Sequence, residues 1–297
     1  MADINAGELS SETSDHVWYF AYGNFMNEAT FKNVIGSPDP ADTVTVVADN
    51  AWLSFDYRGI PYVEPAYASL IIRGFNDQTP SLGGTGLSND HDESYRRYIH
   101  DRCFPGIPYT PPGELPPPAE GVAYRITAEQ MASLNKSSGF RVAQVECRPL
   151  DDARETEQST SSKQFTAYCL VAEERYRSSC MMPTITSYAA VYRGALTHGF
   201  SLVYMRHLVQ LRPYNFAYAP RSVRFARSLF IGTILLPHFA VLYLPLVAAQ
   251  RILGSIGRDS LESLKLAASD AIRYNAILAE KYLFRPFVGR AGYVIDY

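Results

Sequence analysis

The chain has little of what would tie it to a metal, to nucleic acid or to secretion. Its four cysteines, Cys103, Cys147, Cys169 and Cys180, are scattered through 297 residues. None belongs to a C-x-x-C pair and none has a histidine at ligand spacing, so no metal site is expected and the thiols read as reduced. No block of Lys or Arg is present, and the net charge is −3, which gives no case for a nucleic-acid partner. Residues Met1 to His16 are polar and acidic and contain no apolar stretch, so they read as a disordered lead-in rather than a secretory signal. Charged residues make up only 19% and hydrophobic residues 47%, which excludes the composition of a disordered chain and leaves one large or two small domains. Tryptophan is scarce, 2 against 21 tyrosines. Tyrosine suits aromatic-lined pockets and also fills cores.

The chain is organised around the stretch Val17 to Asn27. Val17 to Ala21 is apolar, aromatic or β-branched and reads as a buried strand. Tyr22-Gly23-Asn24 ends it, because Gly permits backbone angles that other residues avoid and Asn tolerates the left-handed region. A turn at the end of a buried strand offers several N–H groups in one place, a nest for a carboxylate or oxyanion. The same residues also fit an ordinary strand-to-helix turn.

Further elements follow in order. Residues 43–47 and 51–56 read as short strands, and Tyr57 to Pro65 as a turn leading into a strand over 67–72. Residues 76–93 form a polar loop, 95–102 a short helix, and the seven prolines between Phe104 and Glu120 an extended wrap. Gly121 to Ile126 is a strand. Thr127 and Gln130 have the spacing of a capping box for a helix over 128–134. Residues 142–147 and 164–172 are strands. After Pro183 the pattern turns helical, with helices over 187–197 and 201–211 broken at His198-Gly199, where His198 reads as a helix-end residue.

Leu229 to Ala249 is 21 residues without Asp, Glu, Lys or Arg, and it holds Pro237 and Pro245. Its length and lack of charge fit a membrane contact. They also fit a proline-broken helix pair packed on the rest of the protein or in a homo-oligomer interface. Residues 260–284 read as an amphipathic helix. The organisation expected is a lead-in over 1–16, an α+β domain over 17–177 and a helical extension over 178–297.

Phe20-Ala21-Tyr22-Gly23 resembles the Tyr-Gly-Ser-Asn loop of the γ-glutamylcyclotransferase-like superfamily. Gly59 to Ala68, reading Gly-Ile-Pro-Tyr-Val-Glu-Pro-Ala-Tyr-Ala, resembles the superfamily's branch in fungal secondary metabolism, as does Arg193 to Gly199. The resemblance implies a γ-glutamylcyclotransferase-like mixed β-barrel, with 18–21 and 67–72 in one sheet. It also implies a small-molecule substrate and no cofactor. In that family a glutamate moves a proton while a γ-glutamyl amine attacks its own side-chain amide, releasing 5-oxoproline. Here Ser138 falls at the glutamate position, no Asp or Glu lies between Leu134 and Val145, and the loop carries Asn24 and Phe25 where the family has Ser and Asn. A serine hydroxyl needs an adjacent base before it accepts a proton.

Ordinary γ-glutamylcyclotransferase activity is therefore not expected. Three readings remain: different chemistry in the same pocket, the old chemistry with a relocated carboxylate, or a non-catalytic, membrane-associated binding protein. The first is favoured, as a cofactor-independent cyclase, isomerase or lyase acting on a largely apolar intermediate, cytoplasmic or membrane-associated. Substrate contacts are expected from Tyr22, Gly23, Asn24, Phe25, Tyr57 and Tyr67. Catalytic candidates are Glu64, Asp56, Tyr62 and Ser138. Glu64 fits equally a backbone brace, Asp56 a turn cap and Tyr62 a core residue.

Overall fold

The computed structural model describes residues 16–36, 40–73, 89–104, 115–135, 139–150, 164–178, 182–211, 213–217, 219–253 and 258–288. Ser138 lies outside these residues, as do most of the proline-rich wrap, the loop expected over 151–163 and residues 76–88 of the loop expected over 76–93; residues 89–93 of that stretch are helical instead.

The first strand, β1 (His16–Ala21), alternates too little to face water on either side, and it sits in the centre of the core. After a short 3-10 turn comes α1 (Glu28–Ile35), capped by Asn27, whose side chain accepts from the Thr30 N–H at 2.9 Å. Then follow β2 (Asp42–Ala48), β3 (Ala51–Ile60), β4 (Glu64–Ile72), α2 (Asn89–Cys103), β5 (Ala119–Thr127), α3 (Ala128–Leu134), β6 (Phe140–Pro149) and β7 (Phe165–Ala172). Five strands close a barrel in the order β1-β5-β2-β6-β7, with β1 and β7 parallel and the other pairs antiparallel. Barrel, hairpin and helices make an α+β fold, as expected. The capping box also stands as read: Thr127 accepts from the Gln130 N–H, and the Gln130 amide oxygen accepts from the Thr127 N–H at 2.9 Å.

The strand pairing differs from expectation in one respect. β4 does not join the sheet of β1; it pairs only with β3, as a separate two-stranded sheet. The turn between them is also shorter than read, because β3 runs on to Ile60 and β4 begins at Glu64. Pro61 supplies the fixed φ such a turn uses at its second position, and Tyr62 takes φ +60°, the place where glycine is usual.

The hairpin shares the barrel's apolar core through Leu53, Phe55, Ala66 and Leu70, and a buried charge ties it further. The β3–β4 ladder slips between Ser54 and Tyr57, and Asp56 sits in that irregularity, 1% exposed. Its carboxylate meets Arg177 at 2.5 Å, accepts from the Ser54 hydroxyl at 2.8 Å and has Arg102 of α2 at 3.5 Å. Arg177 also donates to the carbonyls of Leu70 and Ala172. One guanidinium thus joins the hairpin to the end of β7. A buried charge needs a partner of this kind, since desolvating it alone costs several kcal/mol.

The helices after Arg177 fall into two groups. α4 (Ile185–Thr197) and α5 (Leu202–Gln210) share the barrel's core through Val191, Ala195, Tyr204 and Leu208. Each starts at a carboxylate from the β-rich part. Glu64 accepts from the N–H and hydroxyl of Thr184, the α4 N-cap, and Glu120 accepts from the N–H and hydroxyl of Ser201, the α5 N-cap. A negative charge at a helix start meets unpaired N–H groups and the positive end of the helix dipole. His198 ends α4, with Gly199 at φ +62° beyond it, and its Nε2 lies 2.9 Å from the Met26 carbonyl.

The last two helices, α6 (221–253) and α7 (258–288), pack side by side. α6 is not broken at its prolines, in contrast to the expected helix pair. It widens into π-helical turns at Ile231–Leu235 and Phe239–Tyr243, and α7 does so at Glu280–Phe284. Each π turn ends two residues before a proline: Pro237, Pro245 and Pro286. Proline lacks the N–H of the regular ladder and crowds the carbonyl four residues back, and a wider turn relieves both. The base of the pair packs Val223, Ala226, Phe230, Ala276 and Phe284 around Tyr62.

Asp56→Ala leaves Arg177 buried without its carboxylate and is expected to lower unfolding free energy by about 3–5 kcal/mol, read from the denaturant midpoint. A second measurement concerns His207, buried on α5 with both ring nitrogens unpartnered; burial pushes its pKa down to about 4. The unfolded chain binds a proton near pH 6.5 that the folded chain refuses. Stability therefore falls as pH drops from about 6.5 to about 4, by up to about 1.4 kcal/mol per pH unit. His207→Phe is expected to flatten that slope.

Candidate functional site

The turn after β1 opens onto a cavity of about 330 Å³ at the end of the barrel. In the turn, the N–H groups of Met26 and Asn27 bond the carbonyls of Gly23 and Asn24. Those of Gly23, Asn24 and Phe25 bond to nothing among the described residues, and all three residues line the cavity. His198 braces the turn from α4 by its contact with the Met26 carbonyl, and Gly194 lets α4 approach closely, since a Cβ there would lie 2.8 Å from the Met26 side chain.

Aromatic rings form most of the wall. Tyr19 and Tyr22 come from β1 and its end, Phe25 from the turn, Tyr57 from β3, Tyr67 from β4 and Phe140 from the start of β6. They are braced against one another: Tyr57 stands 4.3 Å from Phe140 and 6.0 Å from Tyr67 between ring centres, and Phe25 lies edge-on to Tyr19 at 6.4 Å. Tyr22 donates its hydroxyl to the Leu170 carbonyl. Thr30, Ala68, Leu170 and Ser187 complete the lining.

The phenols remain protonated at neutral pH. Burial pushes Tyr19 and Tyr22 far up. Burial, with Glu64 nearby, pushes Tyr67 up to about 12. Burial also raises Tyr57, while Arg273 pulls the other way. Arg273 reaches this wall from α7. It donates to the Tyr57 hydroxyl, is held by Asp270 at 2.8 Å and lies over the Tyr176 ring at 4.4 Å. The three groups enclose Gly139, whose φ of +82° and lack of a side chain are both required: a Cβ there would lie 2.7 Å from the Tyr57 hydroxyl and 3.2 Å from Arg273.

The cavity thus gathers all six expected substrate contacts: Tyr22, Gly23, Asn24, Phe25, Tyr57 and Tyr67. It does not gather the expected proton carriers. Asp56 is committed to Arg177. Tyr62 lies outside the lining, fully buried between Phe230 and Phe284, with its phenol pushed up by burial. Glu64 has both oxygens on Thr184, doing at α4 what Glu120 does at α5. Sequence reasoning missed Tyr19, Phe140, Ser187 and Arg273. Phe140 had a signal, since it directly follows the Ser138-Gly139 step; Arg273 had none, being one charge on a helix distant in sequence. No group of three or more His, Cys, Asp or Glu side chains able to hold a metal occurs among the described residues.

If Glu64 is a brace, Glu64→Ala and Glu120→Ala should act alike. Each is expected to cost about 1.5–3 kcal/mol of stability in denaturant unfolding, the range for hydrogen bonds to a charged group.

No family model matches the chain. A γ-glutamyl cyclotransferase of Clonostachys rogersoniana, verK, is 30% identical over 134 residues, covering 43% of this chain and 69% of that protein. A γ-glutamyl cyclotransferase of Aspergillus fumigatus, gliK, is 28% identical over 128 residues, covering 43% of this chain and 37% of that protein. Among solved structures, a γ-glutamyl cyclotransferase and an uncharacterized human protein each align with a TM-score of 0.44, at 12% and 13% identity, over 72% of this chain and 99% of theirs. By its likeness to the Clonostachys protein, the chain belongs to the γ-glutamyl cyclotransferase family.

Proposed function

We propose that this chain is an enzyme of fungal secondary metabolism that uses the γ-glutamyl cyclotransferase fold to cyclise or isomerise a neutral, largely apolar intermediate without a cofactor. One observation carries the reading: the cavity is lined by six aromatic rings, and among the described residues no lining side chain is a carboxylate. A γ-glutamyl substrate brings an ammonium and a carboxylate, and its cyclisation needs a base near the amine. Phe25 stands in the loop where a polar side chain would meet such a group, and Ser138 stands at the family's glutamate position. Both favour an uncharged ligand.

The chemistry left to the site is positioning and hydrogen-bond donation. The turn N–H groups of Gly23, Asn24 and Phe25 hold a carbonyl or other acceptor. Rigid aromatic walls fold the substrate toward one reactive conformer. Tyr57, which accepts from Arg273, is a donor on the opposite wall. A cyclisation or isomerisation redistributes bonds and protons within one substrate, so no oxidant or second reactant is called for.

The test offers purified chain glutathione and γ-glutamyl-alanine and measures 5-oxoproline. No release above a protein-free control is expected. Release at ordinary enzymatic rates, abolished by Glu64→Gln in a folded protein, would install the relocated-carboxylate reading instead. In the same preparation a neutral aryl ketone should bind, and Phe25→Asn should weaken it by about tenfold, a loss consistent with removing one aromatic contact.

A further inference from the structure

The charge of this chain is distributed very unevenly. From Arg175 through Arg258 the sequence contains ten arginines and no Asp, Glu or Lys. That segment contains α6, the described helix long and apolar enough to cross a membrane, over Arg221–Ala249. Two common explanations of such a helix fail here. It is not the core helix of a soluble protein, because only 6% of its most apolar stretch is buried, and from Ile231 through Ala249 no side chain is buried at all. It is not a signal sequence, because it lies far from residue 1 and is anchored at its base around Tyr62.

The neighbouring helix is built inside out. α7 turns two of its charged groups inward: Arg273 to Tyr57, and Glu280 to Arg58 at 3.3 Å. Its outward face carries Leu264, Tyr274, Tyr282 and Leu283, all more than half exposed. α6 adds Leu236 and Val241. At the base, the exposed cations Arg221, Arg224, Lys281 and Arg285 stand among the exposed rings of Phe225, Tyr282 and Phe287. Arg251 stands at the far end of α6.

We propose that the α6–α7 pair is a membrane-docking device that lies in the interface of a bilayer bearing anionic lipid. Aromatic rings and cations at the margin of an apolar helix face are what the headgroup region accommodates, and each basic residue gains from a negative leaflet. A second copy of the chain fits this face less well. α6 has arginines at both ends and no acid, so parallel and antiparallel pairing both bring arginine against arginine. The pair lies along the membrane and does not span it. α7 is pinned to the barrel by Arg273 and Glu280, and spanning would carry Lys265, Asp270 and Arg273 into hydrocarbon. Docked this way, the helix that supplies Arg273 to the cavity wall is also the one that touches lipid.

The experiment sediments the full chain with phosphatidylcholine vesicles, with and without about 30% phosphatidylserine. Wild type is expected to pellet with the anionic vesicles and much less with neutral ones. Leu236→Glu with Val241→Glu should reduce binding to both by at least about tenfold, as charges at apolar positions do. Arg221→Glu with Arg224→Glu should remove only the anionic preference. All four positions are exposed, and unchanged far-UV circular dichroism confirms the fold. Wild type remaining in the supernatant with both vesicles overturns the proposal. So does a wild-type dimer in sedimentation velocity that Leu236→Glu with Val241→Glu makes monomeric, which would assign the face to a second copy.

Discussion

The buried pair of Asp56 and Arg177 is the contact on which the arrangement of this protein rests. The barrel closes through its own ladders, but the β3–β4 hairpin has no strand partner in it. Arg177 bridges the gap by binding the Asp56 carboxylate and the carbonyls of Leu70 and Ala172. The Ser178 N–H donates to the Asp56 carbonyl at 2.8 Å, and the Ala172 N–H to the Ser69 hydroxyl at 3.2 Å. Tyr57 and Tyr67, on this hairpin, are placed against Phe140 by the same attachment. The cavity wall therefore depends in part on this ion pair, and the low-dielectric interior makes the loss of either partner costly.

A second layer of control comes from carboxylates used as helix anchors. Glu64 and Glu120 belong to β4 and β5, yet each terminates on the first residue of a later helix. The helix start supplies N–H groups with no partner in the helix itself, and the strand supplies a charge that needs donors. α4 is thereby set where Ser187 lines the cavity and His198 braces the turn. A carboxylate that looks poised for proton transfer in the sequence can be committed to this duty, with both of its oxygens taken by donors of a helix start.

On the proposed reading, the cavity differs in character from one made for an amino acid. Its rings are fixed by mutual packing and its phenols stay protonated, so it offers shape and donors rather than charge. Such a site can favour one conformer of a flexible neutral molecule. The Arg273 guanidinium that reaches its wall is spent on Tyr57 and Asp270.

Much of the local structure was written in the sequence. The apolar run of β1, the Thr127–Gln130 cap and the helix ending at His198-Gly199 are short-range facts, decided by side-chain pattern and turn chemistry within a few residues. The six cavity contacts were legible because they lie in two strings, around Tyr22 and around Gly59 to Ala68. Tertiary structure decided the rest. Whether Asp56 and Glu64 act on a ligand or on the scaffold depends on partners 121 and 120 positions away, and for Tyr62 on another packing cluster. The sequence could not show that β3 and β4 stand apart from the barrel, because both sheets bury the same kinds of residue. Nor could it show that α6 stays continuous through Pro237 and Pro245, because the widening that permits this is a property of the folded helix. The 21-residue charge-free run was plain from residue order alone. That it is left uncovered was decided only when α7 turned Arg273 and Glu280 toward the barrel and Leu264, Tyr274 and Leu283 outward, since burial is a relation between elements and not a property of either one.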